Sequence, residues 1–444
     1  MLRTLEIVKL FGRFDYRISF SKENIMIITG PNGYGKSTIL RIINSFSNEG
    51  LDRVLSYPYE KLMIFSDNIG LEITKGDKRI KIGKYEFDYS AEDYRNELRY
   101  LSIAKQLEED DFPDDSSNGI ISFAQRMFPR WLFTEKYQKD LLFALRVIRS
   151  KDRAEEKNYF FACLQQSIDL VLEMRNDIGK VHFIQEQRLI EKKIVSDDIQ
   201  ERREPKQEYV KVIEENSIKL QKELAEIMKR HSSVSSNLDS TYIERLLETD
   251  DVEGAFEDTL EQLTVLQMKH EKLQKYGLAS AHNATYISNM DKDKLKRFGI
   301  EISIYLKDAN EKYRVFESII EKLDLYEKIV NEKLMFKRIR LSSSEGIVVM
   351  TDENAKLALS ELSSGEQEIL VLFYKLIFES DVNLLMIDEP EISLHIAWQK
   401  ELMENIRSVV ALKRDIRVII ATHSPQILSY NWDYQVDLGG QQDG

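Results

Sequence analysis

Apolar and polar positions alternate in short stretches at the start of the chain and recur at steps of three and four through its middle. Thr4 to Lys9, Asp15 to Phe20 and Asn24 to Thr29 read as strands, the last a nearly unbroken apolar run that stops at Gly30. Lys61 to Phe65, Gly70 to Thr74 and Arg79 to Asp88 follow, separated by Asp, Asn, Gly and Lys turn residues that suit an antiparallel meander. From about Ala91 the chain turns charged and helix-favouring, broken by the acidic stretch Glu108 to Asn118, which reads as an exposed loop. Helices are expected from there to about Lys333. Within them Phe316, Ile319, Leu323, Tyr326 and Val330 have the spacing of a seam between packed helices. The stretches 207–230 and 255–276, rich in Glu, Lys, Leu and Gln, complete a helical bundle or a short coiled arm. A helix of about 23 residues reaches only about 35 Å, too little for a long tether. Phe336 to Leu341 and Gly346 to Met350 return to strand patterning, Glu368 to Phe378 is an apolar-periodic helix, and apolar runs before Asp388 and His423 read as buried strands. The chain carries no internal repeat.

A length of 444 residues exceeds one ordinary core. The texture divides it into 1–90, a helical insertion at 91–335 with a return near 180–190, and 336–444. With 42% hydrophobic residues, 31% charged residues, 18 Gly and 7 Pro, disordered and collagenous classes are excluded. The formal net charge of −13 repels a phosphate backbone unless a local basic patch offsets it. The single cysteine, Cys163, leaves no intrachain disulfide and no cysteine zinc cluster, and its spacing from Phe161, Leu164, Ile168 and Leu172 is that of a packed thiol. No apolar run approaches the roughly 18 residues of a membrane span, and the start lacks a signal-peptide core. A cytoplasmic location without a membrane partner is the expectation.

The chemistry concentrates in three places. Gly30, Pro31, Asn32, Gly33, Tyr34, Gly35, Lys36, Ser37 and Thr38 match the phosphate-binding loop, between a strand and an apolar helix as that loop requires. The glycines let backbone N–H groups face phosphate oxygens at a helix N-terminus. Lys36 would neutralise the β- and γ-phosphates of ATP, Ser37 would offer its hydroxyl to Mg²⁺, and Thr38 would reach the α-phosphate region. Tyr34 has no role that the sequence assigns. The apolar run beginning at Asn383 ends in Asp388 and Glu389, which divide two tasks: Asp388 for the Mg²⁺ shell, Glu389 as base for the attacking water. Glu361 to Gln367 opens the helix before them, with Ser and Gly at its N-terminus.

Together these segments resemble the ATP-binding cassette superfamily, whose signature, Leu-Ser-x-Gly-x, is matched by Leu362, Ser363, Gly365 and the polar Glu366 and Gln367. The resemblance implies that Ser363, Ser364 and Gly365 contact the γ-phosphate bound by a second copy, so that ATP joins a homodimer able to assemble further. Ile392 to His395 resembles the loop that crosses such a dimer, and His423 the switch histidine on the γ-phosphate. Gln185 or Gln187, beside Arg188, would be the glutamine at the metal. Phe11 and Phe14 would stack on adenine or pack internally. The remaining histidines, His182, His231, His270, His282 and His395, have no metal-ligand spacing.

The separation of 324 positions from Thr38 to Leu362 resembles the SMC, RecF and OLD-like branch rather than a transporter subunit. The expected fold is therefore α/β: an ABC-type phosphate-loop ATPase head, with a mixed sheet, flanking helices and an N-terminal antiparallel sheet, carrying a large helical insertion. OLD nucleases continue into a Toprim domain, for which the 21 residues after His423 leave no room. The chain thus resembles the stand-alone ATPase subunits of bacterial anti-phage systems such as PARIS and Septu. That implies a sensor and scaffold that controls a separate nuclease or toxin effector in response to a phage-derived trigger. The alternative is a DNA-repair or DNA-clamping ATPase of the SMC or RecF type, with DNA as its partner.

Overall fold

In a computed structural model, residues 1–20, 24–76, 79–88, 169–186, 189–195, 206–249, 256–279, 297–379, 382–392, 394–413, 416–429 and 431–441 are described. Cys163, the acidic stretch 108–118, Gln187, Arg188 and His282 lie outside them. The chain forms two compact units: Met1–Glu186 with Asp381–Glu391 and Asp415–Gly444, and Gln187–Ser380 with Ile392–Arg414. The stretch 336–444 is thus divided between the two.

Among the described residues, the first unit holds two sheets. β1 (Leu2–Leu10), β2 (Phe14–Ser19), β4 (Lys61–Ser66), β5 (Gly70–Lys75), β6 (Arg79–Ile82) and β7 (Tyr85–Asp88) form an antiparallel sheet in the order β2-β1-β4-β5-β6-β7. Alternation directs Leu5, Ile7, Leu62, Ile64, Leu71, Ile73, Ile80 and Ile82 into the core. The stretch Arg79 to Asp88, expected as one strand, is a hairpin. Gly83, at φ +57°, adopts the left-handed turn that separates β6 from β7.

β3 (Ile25–Thr29), β8 (Val181–Ile184), β14 (Leu384–Asp388), β15 (Arg417–Ala421) and β16 (Gln435–Asp437) form a parallel sheet in the order β16-β3-β15-β14-β8. Every residue of β14 is buried, which is why it reads as an apolar run rather than an alternation. Helix α1 (Lys36–Asn44) buries Ile39, Leu40, Ile42 and Ile43 in one core with residues of both sheets. Each such side chain contributes about 1.5–3 kcal/mol by leaving water.

The second unit is helical: α2 (Val212–Ser240), α3 (Phe256–Lys275), α4 (Gly299–Asn331), α5 (Ser364–Ile377) and α6 (Ile396–Lys413). It also contains the hairpin β9 (Ile190–Val195) and β10 (Lys206–Lys211), and a small sheet of β11 (Lys337–Ser342), β12 (Gly346–Thr351) and β13 (Lys356–Leu357). Phe316, Ile319, Leu323, Tyr326 and Val330 are all buried along α4, and Tyr326 donates a hydrogen bond of 3.0 Å to the Leu370 carbonyl of α5.

Two expectations change in this unit. Residues 207–211 belong to β10, paired with β9, so the helix expected from 207 starts at Val212. The 33 residues of α4 reach about 50 Å, beyond the expected 35 Å. Gly346 (φ +71°) is required where β12 meets α2, because a Cβ there would lie 2.4 Å from the Ser217 carbonyl oxygen. Among the described residues no helix is long and apolar enough to cross a membrane.

Candidate functional site

Parallel pairing brings the C-terminal ends of β3, β15 and β14 to one edge, and each continues into a chemistry-bearing segment. After β3, Gly30, Gly33 and Gly35 adopt φ of +147°, +85° and +86°, and Gly35 caps α1 with no side-chain hydrogen bond. A Cβ on Gly35 would stand 2.8 Å from Leu10 Cδ2 and 3.1 Å from Phe11 Cε2, so the loop lies directly on the turn after β1. The first N–H groups of a helix have no intrahelical acceptor, and here they close a glycine cradle suited to an anion. Pro31, Asn32 and Gly33 are exposed at its rim, Ser37 and Thr38 are half-buried, and Lys36 is buried.

Tyr34, to which the sequence assigns no role, is an anchor. Its ring stacks on Phe14 at 4.9 Å, and its carbonyl accepts a 2.7 Å hydrogen bond from the buried Tyr16 hydroxyl. Burial pushes the Tyr16 phenol up to about 12, so it remains a donor across neutral pH. Phe14 is thereby committed to packing, whereas Phe11, at φ +56°, remains 43% exposed beside the cradle.

Lys36 Nζ donates to the carbonyls of Gly30 (2.9 Å) and Pro31 (3.3 Å). Burial lowers its pKa, while Glu389, Asp388 and Glu391 oppose the shift. Ser37 Oγ donates to Asp388 Oδ1 at 2.9 Å. These two hard oxygen donors, one a buried carboxylate, fit Mg²⁺. Glu389 takes a left-handed φ of +45°, uncommon outside glycine, and its N–H donates to the Ala421 carbonyl at 2.8 Å. His423 Nε2 lies 2.8 Å from Lys36 Nζ and 3.0 Å from Glu389 Oε1. His423 Nδ1 is also 3.2 Å from Lys36 Nζ, so a ring protonated on Nε2 donates to Glu389 while Nδ1 accepts from the ammonium, and a ring protonated on Nδ1 accepts from the ammonium through Nε2.

Burial raises the Asp388 pKa, with Glu389 and Glu186 adding to the shift and the Ser37 bond and Arg41 opposing it. A carboxyl whose pKa is higher folded than unfolded contributes stability below its unfolded value and loses it as pH rises through the folded value. The ligand-free protein at neutral pH therefore carries an unfavourable charge. Asp388→Asn is expected to raise the melting midpoint at neutral pH by roughly 2–4 °C, as about 1 kcal/mol does in a domain of 150–250 residues. The gain should vanish in melts run below the unfolded carboxyl pKa of about 3.9. A midpoint unchanged or lowered at neutral pH would show that Asp388 is not destabilising.

The sequence-derived residues divide as follows. Lys36, Ser37, Asp388, Glu389 and His423 converge in the first unit. Gln185 is exposed immediately beyond β8. Ser363, Ser364 and Gly365 lie in the second unit at the start of α5. There Ser363 forms a capping box: its N–H donates to Glu366 Oε2 at 2.9 Å and its Oγ accepts from the Glu366 N–H at 3.4 Å. Lys337 Nζ reinforces the cap at 2.8 Å from Glu366 Oε1. His395 is exposed, and its Nδ1 accepts from the Ala397 N–H at 3.3 Å, where α6 begins.

One contributor escaped the sequence reading. Glu391 Oε1 accepts from Thr422 Oγ1 (2.6 Å), the His423 N–H (2.7 Å) and the Ser424 N–H (3.0 Å). Its signal in the sequence is its place within Asp-Glu-Pro-Glu-Ile-Ser-Leu-His, two residues after Glu389, which assigns it no role.

A model of the AAA ATPase domain family matches residues 1–428. The probable branched-chain amino acid transport ATP-binding protein LivG of Methanocaldococcus jannaschii is 43% identical over 58 residues, which are 12% of this chain and 23% of that protein. The chain thus spans less than a quarter of this curated relative's length. Among solved structures, the Smc head domain with an extended coiled coil from Pyrococcus furiosus, bound to the C-terminal domain of ScpA, aligns over 96% of this chain and 91% of that one, at 12% identity and a TM-score of 0.34. The SMC head domain from Thermotoga maritima aligns over 97% and 91%, at 11% identity and a TM-score of 0.33.

Proposed function

The chain belongs to the AAA ATPase domain family, and from that premise we propose that it binds ATP with Mg²⁺ at the β3–α1 loop and hydrolyses it with Glu389 as base. The observation that carries this reading is the convergence of Lys36, Ser37, Asp388, Glu389 and His423 within hydrogen-bond distances, across as many as 387 residues of sequence. Backbone N–H groups of the glycine cradle and the Lys36 ammonium would bind the phosphates. Ser37 and Asp388 would hold Mg²⁺, which when bound draws charge from the phosphate oxygens. Glu389 Oε1 would accept the proton of the attacking water, and His423, already against Glu389 and Lys36, would orient towards the γ-phosphoryl group.

The same proposal includes a homodimer in which ATP joins two copies, the first turn of α5 at Ser364 and Gly365 donating N–H groups to the partner's nucleotide. It also includes control of a separate nuclease or toxin effector in anti-phage defence. The wording of the motifs supports this branch, and the net charge of −13 suits a protein partner better than DNA. A phosphate-release assay, native mass measurement and co-purification, with and without ATP and Mg²⁺, test the catalytic, dimer and scaffold parts in turn. The expected result is phosphate release by the purified chain, a doubled mass with ATP, and a co-purifying effector. Absence of phosphate release removes the catalytic reading. A persistent monomer removes the dimer, and failure to retain any protein in every nucleotide state removes the scaffold.

A further inference from the structure

Between Ala421 and the short helix Pro425–Leu428, the segment carrying His423 has no regular secondary structure. Its backbone is held at the start, where the Thr422 N–H donates to the Ile28 carbonyl (3.1 Å) and the Ala421 carbonyl accepts from the Glu389 N–H (2.8 Å). Beyond that point, the main-chain N–H groups of His423 and Ser424 both turn to Glu391 Oε1, which also accepts from the Thr422 hydroxyl. A carboxylate oxygen with three donors makes charge-assisted bonds, stronger than neutral ones. Because β14 and β15 are parallel neighbours, this staple joins the two segments that leave their adjacent ends. It fixes the main chain of the residue whose ring touches Glu389 and Lys36.

We propose that Glu391 is a positioning residue for hydrolysis: its carboxylate holds the Thr422–Ser424 backbone and so sets the His423 imidazole against Glu389 and Lys36. The proposal rests on the ATPase reading above. Glu391 is also one of the charges acting on Lys36, so positioning has to be separated from charge. Gln at 391 keeps an acceptor oxygen and removes the charge, whereas Ala removes both.

The test compares Glu391→Ala, Glu391→Gln and Thr422→Val in the full chain, by steady-state ATP hydrolysis and by amide hydrogen exchange. Misplacement of a catalytic group by about 1 Å costs up to about 10²-fold. Glu391→Ala is accordingly expected to lower kcat about 10- to 100-fold with KM changed less than about twofold. Glu391→Gln should recover kcat to within about threefold of the native chain, because the acceptor is retained. Thr422→Val, which deletes one of the three donors and also the Oγ1 that accepts from the Ser424 N–H at 2.9 Å, should lose about two- to fivefold and gives a second reading if the alanine variant does not fold. Exchange of the His423 and Ser424 amides should quicken in Glu391→Ala and not in Glu391→Gln. A native kcat in folded Glu391→Ala, or in Thr422→Val if the alanine variant is lost, overturns the proposal. So does a Glu391→Gln variant as slow as the alanine one, since charge would then be the cause. If the native chain releases no phosphate, the ATPase reading fails separately. Exchange then decides alone, and unchanged protection in Glu391→Ala overturns the staple.

Discussion

Glu389→Gln is expected to lower ATP turnover by about 10²- to 10⁴-fold, the range for loss of a positioned general base, while nucleotide binding persists. The substitution is close to isosteric, and the backbone bond from residue 389 to the Ala421 carbonyl does not depend on the side chain. An amide oxygen still accepts from His423 Nε2, which lies 3.0 Å from Glu389 Oε1 in the native protein. What disappears is basicity, since a Gln carbonyl does not take a proton from water. Phosphate release and ATP titration on the same preparation check both halves. If the dimer proposal holds, this variant should also accumulate the ATP-joined form in native mass measurement. Hydrolysis at the native rate would remove Glu389 from the role of base.

Lys36→Ala should weaken ATP binding at least about 10²-fold, the equivalent of a charged hydrogen bond worth about 3 kcal/mol. The loss has two parts. The ammonium sits on the loop carbonyls, at 2.9 Å from Gly30 and 3.3 Å from Pro31. It also offsets Asp388, Glu389 and Glu391, all of which act on it electrostatically. Without it, an anionic ligand meets a cluster of carboxylates. Titration with a fluorescent ATP analogue at fixed ionic strength measures the change, and Lys36→Arg separates charge from shape. Affinity retained in Lys36→Ala would place the phosphates elsewhere.

The sequence exposed local patterns well and long-range ones poorly. Strands with one buried face announce themselves by alternation, as in β1 and β4, and the buried β3 by its unbroken apolar run. The β6–β7 turn shows in the sequence only as a change of phase, from Ile80 and Ile82 to Tyr85 and Phe87 across Gly83 and Lys84, and the pairing of Ile82 with Tyr85 and the positive φ of Gly83 make it a reversal. At β10 the residues are compatible with either helix or strand, and pairing with β9 decides. In the site, the phosphate loop, Asp388, Glu389 and His423 were legible because their chemistry requires fixed neighbours in sequence. Tyr34 and Glu391 were not, because each works through a partner far away along the chain: Tyr16 and Phe14 for the first, Thr422–Ser424 for the second. Ser363 was legible both as a helix cap and as part of a signature, and its bonds to Glu366 are those of a cap.

The order of the parallel sheet carries a consequence for how the protein is made. β3 is synthesised long before both of its neighbours, β15 and β16, and Gln435 Nε2 reaches Thr29 Oγ1 across 406 residues. Pairings of such separation form slowly, because loop closure precedes any gain in contacts. A growing polypeptide on the ribosome therefore holds its apolar Ile25–Thr29 segment without the flanking strands until β15 and β16 have been made, open to wrong edges and to chaperones. The glycine cradle gains its sheet support only when β15 and β16 emerge.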